Sequence, residues 1–409
     1  MTALASLQTW PENAPRPACG ECAMPAPTIT FSRRLRSTPF TSRVLAGGAQ
    51  AFTVYNHMLL ASTFRGVEAD YWHLCKNVQV WDVGAERQVE IQGPDATKLI
   101  QLMTPRDLSL AQDDQCFYVP LCDEQGRMVN DPIAIRHSAE RWWLSIADSD
   151  VLLWARGLVQ GANLNVTVDE PEVWPVAVQG PKAEDLMARV FGESVRDIRF
   201  FRYKHLDWQG HRFLVARSGW SHQGGFEIYV NHTERGRQLW DELFAQGEDL
   251  NVGHGCPNQI ERMEAGLMSF GSDMDLTTTP LQCGLDKYCH LDRDLESMSL
   301  PALRLQREFG VPSRLMGIIA PGARQMPSAV EPTLSLNGQA IGDVTSQCLS
   351  ARWDAWLGFA MLDSDVIEAT VGKGDVIELD VDGISVAARV VELPFKLGDE
   401  NLSDRPRSA

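Results

Sequence analysis

A sequence repeat constrains the fold of this chain more than any other feature. Residues 89–96 are Val-Glu-Ile-Gln-Gly-Pro-Asp-Ala, and residues 176–183 are Val-Ala-Val-Gln-Gly-Pro-Lys-Ala. Each copy predicts a strand, a Gly-Pro turn and an amphipathic helix. The apolar helix positions are Leu99, Ile100, Leu102 and Met103 in the first copy and Leu186, Met187 and Val190 in the second. Because Gly93 and Gly180 lie farther apart than the roughly 20- to 50-residue periods of solenoids, we expect two related α+β subdomains with a cleft between them.

Composition excludes several classes of protein. The chain has 409 residues, with 37 Lys and Arg against 54 Asp and Glu, for a net charge of −17. This charge repels phosphate backbones, so nucleic acid is not expected as a partner, whereas a cationic small molecule is not repelled. No apolar run approaches the roughly 20 residues of a membrane span, and residues 1–30 do not have the pattern of a secretion signal. The nine scattered cysteines do not resemble a secreted disulfide framework, which favours a reducing cytoplasm.

Proline content and periodicity divide the chain into three parts. Residues 1–28 contain five prolines and no apolar period, which predicts a flexible extension, with the fold beginning near Thr30. Residues 29–310 carry the repeat and form the predicted main domain of two interleaved subdomains. After residue 311 the period changes to two, with a hairpin signal at Asp382-Gly383, so residues 311–409 are predicted to be a C-terminal β domain.

Two further helices are expected in the main domain. Thr233 is the predicted cap of a helix that Gly247 closes, and its apolar face is Leu239, Trp240, Leu243 and Phe244. A second helical stretch places four apolar residues on one side, namely Ile260, Met263, Leu267 and Phe270.

The sequence motifs give no support for a metal site or for covalent hydrolytic catalysis. The pair Cys19 and Cys22 has metal or redox spacing but lacks a second pair and lies in the predicted extension. Cys283, Cys289 and His290 are close in sequence without forming a closed four-ligand set, so no metal is expected. Neither Gly-x-Ser-x-Gly nor a phosphate-binding Walker pattern is present.

Two segments carry the more informative side chains. In residues 122–133 the chain turns through Gly126 and re-enters with Asn130 and Asp131 before a predicted strand, so Asp131 either points into the cleft or caps a turn before Pro132. In residues 217–229 three glycines allow close backbone approach, Trp220 offers a flat face and Glu227 a bidentate acceptor. These groups suit a flat heterocycle with N–H donors, such as a pterin, although a structural Gly-rich hairpin is the alternative.

Taken together, the segments resemble the aminomethyltransferase (glycine cleavage T-protein) family from about residue 30 to about residue 395. The matching runs are Trp81-Asp-Val-Gly84, residues 126–131, residues 217–227, Glu261-Arg-Met-Glu-Ala-Gly266 with Ser272-Asp-Met274, the paired Gln-Gly-Pro units and Ile341-Gly-Asp-Val-Thr-Ser346. Within the family, the dimethylsulfoniopropionate demethylase branch is the most similar. The runs that indicate it are Thr38-Pro-Phe-Thr41, Val54-Tyr-Asn-His-Met58, Glu86-Arg-Gln-Val-Glu90, Leu102-Met-Thr-Pro-Arg-Asp107 and Ser218-Gly-Trp-Ser221.

This resemblance implies a three-lobed folate-binding α+β body, with the pseudo-repeated subdomains, a β-barrel-like C-terminal domain and tetrahydrofolate in a central channel. Carried over by position, Glu227 binds the pterin, with Trp220 packed beside it, and Tyr229 matches a folate-side tyrosine. Arg262 lies near folate or is only an intrahelical ion-pair partner. Asp131 is the candidate catalytic acid, at the second position of an Asp-Asp pair whose first position is Asn130 here, and which of the two positions matters is left open.

The implied activity is that of a transferase in one-carbon metabolism, a cytoplasmic tetrahydrofolate-dependent demethylase with a homodimer as the candidate assembly. It moves a methyl group from a sulfonium acid such as dimethylsulfoniopropionate to tetrahydrofolate, giving the methylthio acid and 5-methyltetrahydrofolate. A sulfonium is already an activated leaving group, so positioning does most of the work. Tyr55 and Trp81 are the aromatic candidates for contact with the onium donor.

Rival functions remain open at the level of sequence. One is an enzyme that acts on a methylated amine or on an aminomethyl group, and another is a folate-binding accessory protein of iron–sulfur assembly. The second is marked by a Lys-Gly-Cys-Tyr-x-Gly-Gln-Glu run that this chain does not contain. Two departures from the family, Gly84 in place of Ser and the run from Glu296 to Leu303, bear on the substrate rather than on the folate segment.

Overall fold

The computed structural model describes residues 32–323, 332–371, 376–381 and 383–395. The predicted extension with Cys19 and Cys22, and also Asp382, lie outside the described residues. The helices are α1 Thr41–Ala46, α2 Val67–Lys76, α3 Ala96–Met103, α4 Val151–Ala162, α5 Ala183–Phe191, α6 Thr233–Gln246, α7 Gln259–Ala265, α8 Leu300–Phe309 and α9 Ser364–Thr370. The strands of the main domain are β1 Ala51–Tyr55, β2 Met58–Thr63, β3 Val78–Asp82, β4 Gln88–Gln92, β5 Gln115–Tyr118, β6 Leu121–Cys122, β7 Met128–Asn130, β8 Ile133–Ser138, β9 Arg141–Ser145, β10 Thr167–Asp169, β11 Trp174–Gln179, β12 Tyr203–Trp208, β13 His211–Ala216, β14 Gly225–Val230 and β15 Val252–Gly255. The C-terminal strands are β16 Ser313–Pro321, β17 Thr333–Leu336, β18 Gln339–Ser350, β19 Ala355–Asp363, β20 Ile377–Val381 and β21 Ile384–Val391.

The predicted repeat is confirmed as two sheets with a common core topology. One sheet has the order β10-β4-β9-β8-β5, and the other has the order β12-β13-β14-β11-β3-β15. Reading from the repeated strand, β4-β9-β8-β5 corresponds to β11-β14-β13-β12, and the helix after that strand is α3 in one sheet and α5 in the other. Two copies of one α+β unit therefore form the main domain.

Alternation along each repeated strand explains why these segments fold as they do. Val89 and Ile91 of β4 are buried against Leu99 and Ile100 of α3 in one apolar core. Val176 and Val178 of β11 occupy the matching positions in a second core, with Leu186 and Met187 of α5. Apolar residues at period two on a strand and near period 3.6 on the following helix bury one face of each element.

The two sheets meet through a short segment before β12. The Phe201 backbone accepts a hydrogen bond from Cys116 N at 2.9 Å and donates one to Arg217 O at 3.0 Å. Between the sheets lies an apolar cluster that includes Ile135 and Trp143 from one side and Leu214 and Tyr229 from the other. This apolar cluster therefore joins the two sheets of the main domain.

The C-terminal strands close into a barrel with the order β16-β19-β18-β17-β20-β21. The predicted hairpin is confirmed, since Val381 pairs with Ile384 at the tip of β20 and β21. Trp356 is fully buried among the apolar side chains of the barrel interior. This α+β body with a C-terminal barrel confirms the expected fold class, while the expected domain boundaries remain predictions.

Two helix predictions need correction. The cap of α6 is His232, whose Nδ1 accepts a hydrogen bond from Arg235 N, and Thr233 is the first helical residue. Helix α7 ends at Gly266 with φ of 69°, so Leu267 and Phe270 lie beyond it. A left-handed glycine stops a helix even where the apolar spacing continues. Across the residues described here, no helix has both the length and the apolar character needed to cross a membrane.

Candidate functional site

A cavity of about 1230 Å³ lies where both sheets, the β1–β2 hairpin and the barrel meet. Its wall includes Ser145 of β9, Glu227 of β14 and Leu315 of β16. A volume of this order is large enough for a drug-sized ligand together with a smaller one. The predicted cleft between the subdomains is therefore present, and the barrel forms part of its wall.

The loop before β14 is held in place by the glutamine of the second Gln-Gly-Pro unit. Gln179 Nε2 donates to Ser218 O at 3.1 Å, and Ser221 Oγ donates to Gln179 Oε1 at 2.6 Å. Gly219 and Gly225 have φ of 141° and 152°, and a Cβ at either position would lie within 2.6 Å of the Gln179 amide nitrogen. The repeat motif thus positions the segment that the sequence associates with the pterin.

Glu227 is the buried carboxyl of this segment and lies on the cavity wall. The Ser218 hydroxyl donates a hydrogen bond to it. Burial raises the pKa of Glu227, and the hydrogen bonds from the Ser218 and Tyr229 hydroxyls oppose that rise. In its ionised form the carboxylate can accept two parallel N–H donors.

Tyr229 lies behind Glu227 rather than on the cavity wall. Its side chain is only 1% exposed, and its hydroxyl is within hydrogen-bond reach of Glu227 and Ser145. Burial raises the pKa of this phenol well above its usual value, so it stays a neutral donor. Tyr229 therefore lies against Glu227 and is not itself a cavity-lining residue.

Trp220 and Arg262 are neighbours on the cavity wall. The Arg262 guanidinium lies 5.7 Å from the centroid of the Trp220 ring. Arg262 Nη1 pairs with Asp273 Oδ2 at 2.7 Å, and Nη2 donates to Ser346 Oγ of the barrel at 2.5 Å. The ion-pair partner is thus Asp273, which follows α7. Of the two alternatives for Arg262, the purely intrahelical ion pair is therefore wrong, and a position near folate stays a prediction.

The structure separates the two positions of the Asn130-Asp131 pair. Asn130 is fully buried, and its side chain bonds the backbone of Ala147 on both its nitrogen and its oxygen, at 3.1 and 3.0 Å. Asp131 lines the cavity, where Tyr118 OH donates to its Oδ2 at 3.1 Å. Burial raises the pKa of Asp131 to about 7 against the lowering effect of that hydrogen bond. Asn130 therefore holds the loop, and Asp131 is the residue that faces the cavity.

The two aromatic candidates for donor contact lie in different places. Tyr55 is on the cavity wall, where burial and the charges of Glu86 and Asp131 raise the pKa of its hydroxyl well above the usual value. Trp81 is 1% exposed in a core cluster with Leu74, and its indole Nε1 donates to Gln79 Oε1 at 2.8 Å. It is not among the residues that line the cavity, so the expectation that both rings face the donor is corrected for Trp81.

Glu86 is a cavity residue that the sequence did not single out. It lies in the bend between β3 and β4, lines the cavity, and is within hydrogen-bond reach of Ser145. Burial and the charges of Glu227 and Asp131 raise its pKa well above the usual value for a glutamate. Periodicity does not distinguish a residue in a bend, and only the demethylase-like run beginning at Glu86 marked it.

At Gly84, where the family resemblance leads us to expect a serine, the structure leaves little room for a side chain. A Cβ at this position would lie 2.8 Å from Thr38 Cγ2 and 3.1 Å from Asp82 Oδ1. Thr38 Oγ1 donates to Asp82 Oδ2 at 2.5 Å and occupies that space. The departure at Gly84 and the Thr38-Pro-Phe-Thr41 run are thus two parts of one packing arrangement.

The Cys283 to His290 neighbourhood has structural contacts. His290 Nδ1 accepts a hydrogen bond from Asp107 N at 2.8 Å, and burial raises the pKa of Cys283 and Cys289 to about 12. Among the residues in the described ranges, no three His, Cys, Asp or Glu side chains converge as a metal site.

Comparisons with known proteins agree with this arrangement. The GCVT N-terminal domain model matches residues 40–293, and the glycine cleavage T-protein C-terminal barrel domain model matches residues 314–396. A dimethylsulfoniopropionate demethylase, DmdA, from Ruegeria pomeroyi is 50% identical over 336 residues, which cover 82% of this chain and 92% of that protein. An aminomethyltransferase from Thermosipho melanesiensis is 28% identical over 331 residues, covering 79% of this chain and 87% of that protein.

A solved structure shares the fold. The crystal structure of glycine cleavage system aminomethyltransferase T from Bartonella henselae matches with a TM-score of 0.78 at 22% identity, covering 88% of this chain and 98% of that one. The resemblance inferred from the sequence motifs is confirmed, and this chain belongs to the glycine cleavage T-protein (aminomethyltransferase) family.

Proposed function

We propose that this chain is a tetrahydrofolate-dependent demethylase that moves a methyl group from a sulfonium acid such as dimethylsulfoniopropionate to tetrahydrofolate. The products are the methylthio acid, 5-methyltetrahydrofolate and a proton. The observation that carries the substrate assignment is the 50% identity, over most of both chains, to a protein named dimethylsulfoniopropionate demethylase. The acidic cavity supports it, because carboxylates favour a cationic donor.

The residues of the cavity fit tetrahydrofolate. Glu227 offers a buried acceptor for the N–H edge of a pterin, and Trp220 and Arg262 offer flat faces beside it. Tyr229 and Ser218 keep the Glu227 carboxyl in one orientation. When bound, tetrahydrofolate supplies the nitrogen N5 that accepts the methyl group. The folate-side residues are therefore proposed to be Trp220, Glu227 and Arg262, with Tyr229 acting through Glu227.

Asp131 and Tyr55 are proposed to act on the donor side. Methyl transfer from a sulfonium to an amine leaves a thioether and one surplus proton. A carboxyl with a pKa of about 7 can exchange a proton at neutral pH, and Tyr118 holds Asp131 in position for it. Tyr55 offers a π-face on the same cavity. In this proposal the protein contributes mainly orientation and electrostatic support.

Amine substrates are the second candidate function. Relatives named aminomethyltransferase cover similar shares of this chain, but at 28% identity or less. Neutral amines leave poorly without proton transfer, so such a substrate would demand more of Asp131. A sulfonium donor leaves without proton transfer to it, so the demethylase reaction requires less acid catalysis from the residues present.

The test is an assay of the purified protein with tetrahydrofolate and a panel of methylated sulfonium and ammonium acids. We expect 5-methyltetrahydrofolate and the methylthio acid in equal amounts from dimethylsulfoniopropionate. Faster turnover of an ammonium acid or of an aminomethyl donor would overturn the substrate assignment.

Domain boundaries, assembly and location are part of the same proposal. We expect units at residues 29–310 and 311–409 after the extension at 1–28, and limited proteolysis tests these boundaries. The homodimer is tested by light scattering of the full chain. A cytoplasmic location is supported by the cysteines that the structure describes, all of which are free.

A further inference from the structure

Four carboxyls line the cavity, of which Glu392 is exposed. We call the other three, Glu86, Asp131 and Glu227, the acidic wall. Each reaches the wall from a different element, since Glu86 follows β3, Asp131 follows β7 and Glu227 lies on β14. The charges of Asp131 and Glu227 both act on Glu86. Because Glu86 is desolvated and feels both of the other charges, ionising all three carboxyls without a compensating cation is unfavourable.

Within the described part of the chain, the acidic wall has no basic partner. No Lys, Arg or His forms an ion pair with any of its three carboxyls, whose polar neighbours are hydroxyls and one another. The basic side chains of the cavity have other neighbours: Arg262 pairs with Asp273, Arg314 pairs with Asp286, and Lys287 lies over the Tyr288 ring. The site therefore lacks one or more positive charges that a ligand can supply.

The three members of the wall differ in their hydrogen bonds. Ser218 and Tyr229 direct Glu227, and Tyr118 directs Asp131. Asp131 has a backbone hydrogen bond besides that of Tyr118. Glu86 has only the Ser145 hydroxyl within hydrogen-bond reach among the described side chains, and the Ser145 oxygen accepts from Gln88 Nε2 at 2.8 Å, which leaves the Ser145 O–H to donate. Because a sulfonium or ammonium group with no N–H cannot donate a hydrogen bond, it pairs best with a carboxylate that few donors direct.

We propose that Glu86 determines the donor class, as the counter-charge of the donor's onium group. This inference rests on the proposed function, because it assigns a residue to the donor of that reaction. Tyr55, whose phenol is acted on by Glu86 and Asp131, closes the same region with an aromatic face. The onium group thus lies between a carboxylate and a π-face, while Glu227 is left for the pterin.

Donor binding is then coupled to proton release. Burial and like charge raise the pKa of Glu86 and so favour its protonated form in the free protein, whereas a cation beside it favours the ionised form. The titratable groups that interact with Glu86 are Tyr55, Asp131, Glu227 and Tyr229, and all of them are acids. The affinity for a permanently charged donor should therefore rise with pH while Glu86 titrates, whereas the affinity for a neutral analogue should not.

The test compares dimethylsulfoniopropionate with its neutral thioether product, 3-methylthiopropionate, by titration calorimetry without folate. Running each titration in two buffers of different ionisation enthalpy counts the protons released. We expect about one proton per sulfonium bound by the wild type and about none for the thioether. Glu86→Gln should weaken the sulfonium roughly 30-fold, change the thioether by less than about twofold, and abolish the release.

Matched variants assign the effect to Glu86. Glu90→Gln changes the same residue type on β4, where Glu90 pairs with Arg141 at 2.7 Å away from the cavity lining, and should behave as wild type. Asp131→Asn and Glu227→Gln each remove one of the charges that raise the pKa of Glu86, so they should move the proton release to lower pH without abolishing it. Equal weakening of both ligands by Glu86→Gln, or unchanged sulfonium affinity, would overturn the inference, as would release that persists in that variant.

The same titrations separate this inference from the proposed function. If the wild type turns over dimethylsulfoniopropionate and the Glu86→Gln variant binds the sulfonium as the wild type does, only the role of Glu86 is refuted. If the wild type binds another onium acid, such as a trimethylammonium acid, with Glu86-dependent proton release but does not bind the sulfonium, the substrate assignment fails and the counter-charge stands. Binding of no onium compound would refute both.

Discussion

Glu227 is the buried carboxyl on the proposed folate side of the cavity. It is 7% exposed and is oriented by hydroxyl groups from its own loop and strand. A charge-assisted hydrogen bond to such a group is worth roughly 1.5 to 3 kcal/mol. The first prediction is therefore that Glu227→Ala weakens tetrahydrofolate roughly 10- to 150-fold in a binding titration, with an unchanged circular dichroism spectrum. Unchanged affinity would remove Glu227 from the folate site.

Asp131 is predicted to affect turnover rather than folate binding. Asp131→Asn should lower kcat roughly 100-fold while the tetrahydrofolate Kd stays within about twofold. Because the pKa of Asp131 is raised to about 7, the carboxyl is protonated below that pH and ionised above it. The wild-type kcat/KM should accordingly rise as pH increases through about 7, and the variant should lack that limb. Near-normal turnover of the variant would make Asp131 a structural turn residue.

Opposite effects are predicted for substitutions of Tyr55 and Trp81, because Tyr55 lines the cavity and Trp81 is a core residue. Tyr55→Leu removes a desolvated cation–π contact worth about 2 kcal/mol and should raise the donor KM roughly 30-fold. Trp81→Leu should instead cost about 2 to 4 kcal/mol of unfolding free energy, measured by denaturant titration, and leave the donor KM of the folded protein nearly unchanged. A normal donor KM in Tyr55→Leu would exclude the π-face.

The sequence located some site residues better than others, for reasons of environment. Glu227 and Trp220 lie in a glycine-rich segment whose composition is itself unusual, and both line the cavity. All five residues of β3 are buried. An alternating apolar pattern could therefore not show that Trp81 is a core residue rather than a cavity residue. Glu86 is in a bend without periodicity, and the neighbours that act on it, Tyr55, Asp131, Ser145 and Glu227, come from four other parts of the chain. Its role depends on contacts between elements far apart in the chain.

At the scale of elements, the loop between β13 and β14 depends on glycine at its end. Gly225 has φ of 152°, and a Cβ there would lie 2.3 Å from Val178 O of the neighbouring strand β11. Gly225→Ala should cost about 1 to 3 kcal/mol of unfolding free energy and weaken tetrahydrofolate, because the loop carries Ser218 and Trp220. Gly157→Ala, at an exposed α4 position with open space around it, is the control and should stabilise by about 0.5 to 1 kcal/mol.

Element prediction succeeded where local pattern decides and failed where it does not. The repeated strand–turn–helix units and the hairpin of β20 and β21 follow from local periodicity and turn chemistry, and both are present. The end of α7 was misplaced because Leu267 and Phe270 keep the helical spacing past Gly266. Strand order was beyond prediction, since β15 pairs in parallel with β3 across a long stretch of chain.

At the scale of the whole molecule, one buried ion pair joins the cavity wall to the barrel. Asp273 is fully buried and accepts hydrogen bonds from Arg262, and from Thr345 and Ser346 of β18. Removing one partner of a buried pair costs about 3 to 5 kcal/mol, because the other charge is left uncompensated. Asp273→Asn should therefore lower the free energy of unfolding by about that amount and also weaken tetrahydrofolate, since Arg262 lies beside Trp220.

The exposed pair of Arg156 and Asp169 is the control for that prediction. Asp169→Asn should change the unfolding free energy by less than about 0.5 kcal/mol. If Asp273→Asn unfolds with the wild-type midpoint, or if the two variants lose equal stability, the pair does not join the lobes energetically.

The two matching sheets differ in residue type at a pair of corresponding positions, one of which lies on the cavity wall. Glu90 of β4 pairs with Trp143, and Ala177, at the same place in the second repeat unit, pairs with Glu227. Trp143 and Glu227 thus occupy corresponding positions in the two copies, one apolar and one acidic. A cleft between two identical halves would accept an elongated ligand in either direction. Glu227 lines the cavity, whereas Trp143 is buried in the cluster between the sheets. The acceptor for a heterocycle therefore stands on one half of the cleft, which favours one direction of entry for a heterocycle with a long tail.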